Sequence, residues 1–186
     1  MNNLARVFHC QRKSEEAEVM RRQALRGSEN VLEADHPDIL MSMSNLGLVL
    51  ESLGKYKEAE AMHRRDLEGL ERILGVEYPD TLTSMISLAN VLSNQGKYEE
   101  AEAIHRQVLV TAKRVLGPDH LNTLISMWNL AITHKYQGQH IDACNLLKPC
   151  VQLQRRKLGP SHPDTLSASA MLDDWTNCLS GAFISC

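Results

Sequence analysis

The amino-acid sequence predicts an all-α protein, a solenoid built from antiparallel helix pairs. The segment KYKEAEAMHRRDL at residues 55–67 returns 42 residues later, at 97–109, as KYEEAEAIHRQVL. Aligning residues 36–77 with 78–119 gives identity at 21 of 42 positions. Apolar residues recur at helical spacing inside each copy, and a glycine ends each apolar stretch. A fixed period between about 20 and 50 residues is typical of solenoids, in which each unit buries its apolar face against its neighbours.

Composition suits such an array and argues against several kinds of partner. The 186 residues include two Trp, two Phe and four Tyr, which fits helices packed through Ala, Leu and Met. The net charge of -3 provides no attraction to phosphate backbones, so we expect no nucleic-acid partner. No apolar run approaches the 18 or so residues that cross a bilayer, so we expect no membrane contact. Five cysteines without a CxxC pair favour reduced thiols, and we expect a cytoplasmic protein.

The repeat divides the chain into an array at 1–181 and a tail at 182–186. A partial repeat at 1–34 precedes full repeats at 35–76, 77–118 and 119–160 and a half repeat at 161–181. In the partial repeat, residues 1–11 match the end of a first helix and residues 14–32 match a second helix. We therefore expect two helices before residue 34, the first of them truncated.

The first helix of each repeat begins at a joint that usually contains proline. The four joints are His36-Pro37-Asp38, Tyr78-Pro79-Asp80, His120-Leu121-Asn122 and His162-Pro163-Asp164. Proline suits the first helical position because its missing N–H needs no partner there, and an acidic residue favours the positive end of the helix dipole. We expect helices of about 16 residues from 37, 79 and 121, each followed by a glycine turn at Gly54, Gly96 or Gly138.

The second helix of each repeat is expected at 56–74, 98–116 and 140–158. A glycine follows each, and the next first helix begins three or four residues later, which forces antiparallel neighbours. Alanine recurs where two helix backbones approach closely, at Ala17, Ala59, Ala101 and Ala143. Pro149 interrupts the third of these helices, so we expect a kink or weak point at 144–149.

The last helix, at 163–178, has no second helix after it. Its face carries Leu166, Met171, Leu172 and Trp175, and the tail GAFISC is also apolar, whereas a solenoid usually ends in a polar face. We favour the interpretation that the chain is part of a longer array. The alternative is that the apolar end pairs with another molecule, which would form a homo-oligomer.

The repeat resembles the tetratricopeptide repeat (TPR). The residues that carry the resemblance are Leu46-Gly47 and Leu88-Ala89 in the first helix, Gly54-Lys55-Tyr56 and Gly96-Lys97-Tyr98 at the turn, and Ala59, Ala101 and Ala143 in the second helix. A 42-residue period with an HPDT-type joint is similar to the kinesin-light-chain variety, which also forms sensor arrays of fungal and bacterial NTPase receptors. The resemblance implies a right-handed superhelical TPR array with a concave groove lined by the first helices.

Asparagines on the groove face are our first candidates for binding residues. They are Asn45, Asn90, Asn94 and Asn129. Asn45 and Asn129 share one repeat position, which Asn3 holds in the partial repeat, and Asn90 lies one turn further along the second copy. An amide offers a donor and an acceptor, so a row of amides can bind the main chain of an extended peptide whatever its sequence. The resemblance implies the same role. The alternative is that these amides bond to neighbouring helix ends or to solvent.

A second apolar stripe on the third repeat is our candidate hot spot. It consists of Ile125, Trp128, Ile132 and Tyr136, with Lys135 at its edge as a contact for an acidic ligand. Amphipathicity does not require this stripe, and Trp and Tyr are common anchors of binding surfaces. The alternative is that Trp128 only packs between adjacent helices.

Other charged and titratable residues are explained by the repeat. The pairs Glu18/Arg22, Glu60/Arg64 and Glu102/Arg106 are four residues apart, which is typical of a solvated outer face. Most of the eight histidines lie at repeat positions, His63 and His105 among them, and no HExxH, GxSxG or phosphate-loop motif is present. We therefore expect no catalytic residues, no metal site and no cofactor.

We conclude from the sequence that the chain is a protein-interaction module that binds a peptide or helix of a partner in its concave groove. One alternative is a ligand-sensing array of a multidomain signalling NTPase, which an upstream phosphate-binding loop would support. Another is a self-assembling scaffold, for which light scattering lost on Trp175→Asp would be the sign. An enzyme would require a polar pocket in which His63, His105 or His140 converge.

Overall fold

The computed structural model describes the backbone of residues 2–179 and the side chains of residues 13–178. Within that part of the chain, all regular structure is helical. The chain is divided into two compact units, Met1–Gly96 and Lys97–Cys186. The first unit contains α1 (Asn2–Glu29), α2 (Pro37–Ser52), α3 (Tyr56–Leu74) and α4 (Pro79–Asn94). The second contains α5 (Tyr98–Val115), α6 (Leu121–Tyr136), α7 (His140–Lys157) and α8 (Pro163–Leu179). Within each unit, helices that follow one another in the chain pack together.

The predicted all-α fold class is confirmed, and the helix starts agree with the joints. Helices α2, α4, α6 and α8 begin at residues 37, 79, 121 and 163. The histidine of the joint has a role that the sequence did not indicate, because its Nδ1 accepts a hydrogen bond from a backbone N–H of the first turn. These bonds are Asp38 N to His36 at 3.2 Å, Asn122 N to His120 at 3.2 Å and Asp164 N to His162 at 3.3 Å. Histidine therefore caps three of these helices.

Glycines in the left-handed region separate the helices at equal intervals along the chain. They are Gly54, Gly75, Gly96, Gly117, Gly138 and Gly159. At Gly54 the turn between α2 and α3 needs a φ of 71°, which residues with a side chain rarely adopt. The three-residue turn there makes α2 and α3 antiparallel neighbours.

The start of the chain differs from the prediction. Instead of a truncated helix followed by a second one, a single helix, α1, runs from Asn2 to Glu29. Arg12 occupies the repeat position of Gly54, and a residue with a Cβ does not favour the left-handed turn that would separate two helices. The side chain of Asn3 and the apolar tail at 181–186, for which we also made predictions, lie outside the described residues.

Glutamates on the second helices connect successive repeats. The predicted ion pairs with Arg22, Arg64 and Arg106 form. The prediction that these pairs lie on a solvated outer face is wrong for their glutamates, whose side chains are largely buried. Each glutamate also accepts a hydrogen bond from the following repeat. These bonds are Lys55 Nζ to Glu18 at 2.8 Å, Gln95 Nε2 to Glu60 at 2.7 Å and Gln137 Nε2 to Glu102 at 2.9 Å. The lysine hydrogen bond lowers the pKa of Glu18 below its usual range.

The core of the second unit involves three helices at its far end. Ala131, Ala143, Cys144, Leu147, Val151, Ala168 and Trp175 form one buried cluster from α6, α7 and α8. Trp175 is only 7% exposed, so the prediction that it lies on an unpaired apolar face is wrong. The reason is that α8 packs on α7 and turns this side chain into the cluster. A Trp175→Asp variant would therefore disrupt the core whether or not the chain self-assembles.

Two further features concern α7 and the surface. Helix α7 continues from His140 to Lys157 through Pro149, which is exposed. Ala59, Ala101 and Ala143 are fully buried, as their repeat position predicts, and Ala17 is partly buried. No helix of the described segment combines the length and apolar character that spanning a bilayer requires.

Candidate functional site

A groove in the first unit lies between α2, the end of α3 and α4. Its volume is about 470 Å³, and its walls are mostly apolar. Its lining includes Leu40, Met41, Ser44, Leu70, Ile73, Leu74, Tyr78 and Thr83. Three carboxylates, those of Asp38, Asp66 and Asp80, also line it. The groove thus combines an apolar wall with negative charge.

Asp66 is the buried carboxylate of this groove. Ser84 Oγ donates a hydrogen bond to Asp66 Oδ2 at 2.7 Å. Burial raises the pKa of Asp66, while the Ser84 hydrogen bond and the nearby charge of His63 oppose that rise. The neutral acid is therefore favoured at a higher pH than for an exposed aspartate.

A groove in the second unit occupies the equivalent position between α6, the end of α7 and α8. Its volume is about 390 Å³. Its lining consists of Leu121, Leu124, Ile125, Trp128, Gln154, Leu158, Asp164 and Ser167. Trp128 stands two repeats after Ser44, so one large side chain takes the place that a small one has in the first unit. The two grooves are therefore lined by residues at the same repeat positions but differ in shape and chemistry.

The predicted apolar stripe on α6 is divided by the structure. Ile125 and Trp128 line the second groove, whereas Ile132 packs partly buried against the cluster of α6, α7 and α8. Trp128 also contacts that cluster, so both the binding role and the packing role that we considered are compatible with its position.

Lys135 and Tyr136 have partners inside the unit. Lys135 Nζ lies 5.5 Å from the ring centroid of Trp175, and Tyr136 stacks on Tyr98 with ring centroids 5.6 Å apart. Neither of them lines the second groove. Lys135 thus faces an aromatic ring of its own chain, where the sequence suggested a contact for an acidic ligand.

The predicted asparagines have side chains without hydrogen bonds to other described residues. Asn45, Asn90 and Asn129 are half-buried, and Asn94 is exposed at the end of α4. Of these residues, only Asn129 contributes to a side-chain hydrogen bond, and it does so through its backbone oxygen, which accepts from Thr133 Oγ1 at 2.9 Å. The alternative that these amides bond to neighbouring helix ends is therefore not supported among the described residues.

The histidines that an enzyme would need do not converge in a groove. His63 is fully buried, and its Nε2 lies 2.8 Å from Glu51 Oε1. His105 is also buried, in the second unit, and burial lowers its pKa to about 4. His140 is exposed in the first turn of α7. Over residues 13–178, no group of three or more His, Cys, Asp or Glu side chains is placed to hold a metal ion.

Sequence reasoning missed Gln154. This residue is only 8% exposed, lines the second groove and has an Oε1 without a hydrogen-bond partner among the described residues. Leu70 and Ala112 occupy its position in the preceding repeats. A polar residue where the other copies have apolar ones was the available signal.

Helix pairs that repeat at a constant period, with grooves at equivalent positions, define an α-helical repeat protein. The sequence pattern of the tetratricopeptide repeat family matches residues 1–72, 53–109 and 80–148. The chain belongs to this family, whose repeats generally serve as protein-interaction modules. No curated protein matches this chain.

Solved structures are similar over nearly the whole chain. One contains the nearly identical TPR-like repeats of a Podosopora anserina protein assigned to the kinesin light chains, with 25% identity, a TM-score of 0.79, and coverage of 97% of this chain and 85% of that chain. A single-residue variant of that protein gives 25% identity and a TM-score of 0.81 with the same coverage. BtubC (BKLC) from P. vanneervenii shares the fold at 15% identity, with a TM-score of 0.69 and coverage of 94% and 77%. The predicted similarity to kinesin-light-chain repeats is thus confirmed.

Proposed function

We propose that each unit of the chain binds an extended peptide segment or a helix of a partner protein in its groove. The observation that carries this proposal is a set of half-buried asparagine amides without hydrogen bonds to other described residues, Asn45 and Asn90 in the first unit and Asn129 in the second. An amide that offers both a donor and an acceptor can bond to the main chain of a peptide. The proposal extends the general role of the family to this chain.

The grooves supply the second part of the proposed interaction. Each has an apolar wall of a size that receives side chains, about 470 Å³ in the first unit and about 390 Å³ in the second. Main-chain bonding gives affinity without selectivity, and pockets that receive individual side chains give selectivity. We infer that Trp128 and Ile125 contribute the anchor contacts in the second unit, because both line its groove.

A peptide-array screen with matched variants tests this function. The intact chain, Asn129→Ala and Ile125→Asp are compared for binding to arrayed peptides, and Asn30→Ala serves as the control because Asn30 is exposed in the turn after α1. We expect the two groove variants to lose at least about tenfold in affinity and the control to bind as the intact chain does. Unchanged binding in both groove variants would remove the site assignment, and the absence of any binding peptide would remove the function.

Trp128→Leu is a useful additional variant because it keeps an apolar contact with the cluster of α6, α7 and α8. Its thermal unfolding and its peptide binding are measured together. Reduced binding at unchanged stability supports the anchor role of Trp128. Reduced stability at unchanged affinity indicates that the residue only packs in the core.

A further inference from the structure

The amide of Gln154 is an unusual component of the second groove. Its Oε1 is buried and has no hydrogen-bond partner among the described residues, and the residue is 8% exposed. A buried acceptor that loses its water without gaining a donor is unfavourable, so native proteins rarely keep one without a reason. Packing alone does not require it, because the preceding copies have Leu70 and Ala112 at this position. The wall of the groove therefore contains a buried acceptor that lacks a donor among the described residues.

Two other side chains of the same groove favour a cation as that donor. Asp164 places a carboxylate in the lining, and it remains largely exposed beside His162, whose Nδ1 lies 3.7 Å from its Oδ2. Trp128 adds an aromatic ring, and cations are attracted to the face of such rings. The lining of this groove, all of which lies in the described part of the chain, includes no lysine or arginine that would neutralise these groups.

The basic residues at the end of α7, Arg155, Arg156 and Lys157, lie outside the lining of this groove. Arg155 Nη2 donates to Ser169 Oγ at 3.1 Å, and Lys157 Nζ donates to the backbone oxygen of Asp119 at 2.6 Å. Neither side chain lines the groove. The charge that the groove itself presents is therefore that of Asp164.

We infer that the groove between α6, α7 and α8 is a subsite for an arginine side chain of the partner. A guanidinium is a planar group with five donors, so it can donate to the Asp164 carboxylate while its face stacks on Trp128, and to Gln154 Oε1 once that buried amide turns towards the groove. A lysine ammonium offers a point charge and is more strongly hydrated, which makes it a poorer fit to an amide, a carboxylate and a ring together. This inference rests on the proposed function and specifies the chemistry of the partner for one groove.

The first experiment uses the intact chain and small probes, so it does not depend on finding a partner. N-acetyl-L-arginine amide, its lysine analogue and its uncharged isostere N-acetyl-L-citrulline amide are titrated, and the indole N–H of Trp128 and the side-chain amide of Gln154 are followed by NMR. We expect saturable shifts with the arginine probe and at least about tenfold weaker binding of the citrulline probe, because the carboxylate and the ring both select for charge. Equal affinities for the two probes would overturn the inference.

Variants of the groove complete the test. Gln154→Leu introduces the residue that Leu70 provides in the first unit and should abolish the shifts, and Asp164→Asn should weaken them at least about fivefold. Gln152→Leu is the matched control, since Gln152 is exposed on the same helix and should leave the titration unchanged. A Gln154→Leu variant that binds the arginine probe as the intact chain does would also overturn the inference.

The peptide array then separates this inference from the proposed function. If the array contains binders that depend on Asn129 but shows no enrichment of arginine, the interaction function stands and the arginine subsite is wrong. If the arginine probe saturates the groove while no arrayed peptide binds, the subsite stands and the proposed peptide-binding function fails. Enrichment of arginine among binders that Gln154→Leu no longer retains supports both.

Discussion

Buried titratable side chains are the residues whose chemistry departs most from that in water. His105 is 1% exposed, its Nδ1 has no hydrogen-bond partner among the described residues, and burial lowers its pKa to about 4. Its counterpart His63 is equally buried but contacts Glu51. One repeat position therefore holds two histidines in different environments, and the second copy has Ser93 where the first has Glu51.

The first prediction concerns the pH dependence of stability. Since the pKa of His105 is about 4 in the folded chain and about 6.5 in the unfolded chain, the unfolded state binds an extra proton between these values. His105 therefore does not reduce the free energy of unfolding above pH 6.5. As the pH decreases from 6.5 towards 4, protonation of this histidine in the unfolded chain lowers that free energy by about 1.4 kcal/mol per pH unit. His105→Phe should remove this component, which urea titrations at several pH values measure. His140→Gln, at an exposed site, should keep it, and identical pH profiles of His105→Phe and the intact chain would contradict the account.

The second prediction concerns thiol reactivity. Burial raises the pKa of Cys150 to about 11, and its Sγ donates to the backbone oxygen of Leu124 at 3.5 Å, whereas Cys178 is exposed. The reactive thiolate is therefore on the order of 100-fold scarcer at Cys150 than at an ordinary thiol, and access is also restricted. Iodoacetamide labelling followed by peptide mass spectrometry should show Cys178 modified well before Cys150. In denaturant the two rates should become similar, and early labelling of Cys150 in the native chain would disagree with its burial.

At the scale of helices, the sequence predicted most of the architecture. Proline or its substitute at the joints identified the starts of α2, α4, α6 and α8, because local chemistry alone determines where these helices begin. The first two predicted helices form one helix, α1, because position 12 has an arginine instead of the glycine that ends the first helix in the other repeats. The sequence analysis did not consider this missing glycine. The hydrogen bonds from Gln95 and Gln137 to glutamates of the preceding repeat were missed. The four-residue spacing of Glu and Arg predicts ion pairs within one helix, but it does not predict contacts between that helix and the next repeat.

The third prediction tests the strain that Pro149 introduces into α7. A proline inside a helix removes the hydrogen bond to the carbonyl four residues earlier, that of Asn145, and crowds the preceding turn. Pro149 is exposed, and Gln107 occupies its position in the preceding repeat. Pro149→Ala should therefore stabilise the chain by about 1 to 3 kcal/mol, measured by urea unfolding. Lys148→Ala, at the exposed neighbouring position, should change stability by less than about 0.5 kcal/mol. A destabilised Pro149→Ala variant would show that α7 needs the proline.

At the scale of the whole molecule, stability should be distributed among local contacts. Repeat arrays are held together by contacts between neighbouring elements, so different parts can open independently. The two compact units each have fully buried leucines, among them Leu50 in the first and Leu147 in the second.

The fourth prediction follows from this distribution. Leu50→Ala and Leu147→Ala should each cost about 2 to 5 kcal/mol locally. Hydrogen exchange measured by mass spectrometry should show that Leu147→Ala lowers protection in α6, α7 and α8 more than in α2 and α3. Leu50→Ala should give the reverse pattern. An equal loss of protection in all helices for either variant would indicate a single cooperative fold.

The candidate sites were only partly predictable from the sequence. Repeat register put Ile125 and Trp128 on one helix face, because the same face recurs in each copy, and both side chains line the second groove. Their role in binding stays a prediction. The register did not show that Lys135 and Tyr136 contact Trp175 and Tyr98, since these contacts join residues at unrelated repeat positions. Gln154 and Trp175 are buried where α8 packs on α7, as α4 packs on α3, but the earlier copies have different side chains at these two positions, so the repeat did not identify their contacts. The NTPase-sensor and self-assembly alternatives stay predictions.

The equal spacing of the left-handed glycines bears on how such a gene can change. Because these glycines recur once in every half repeat, a duplication or deletion of one whole repeat, taken from any starting point, joins two chain segments in the correct phase. A change of half a repeat would keep the turns but exchange the two kinds of helix, placing charged outer residues where the core requires apolar ones. Unequal recombination can therefore lengthen or shorten the coding sequence in whole pairs of helices, and the number of grooves can evolve separately from the fold of any one helix pair.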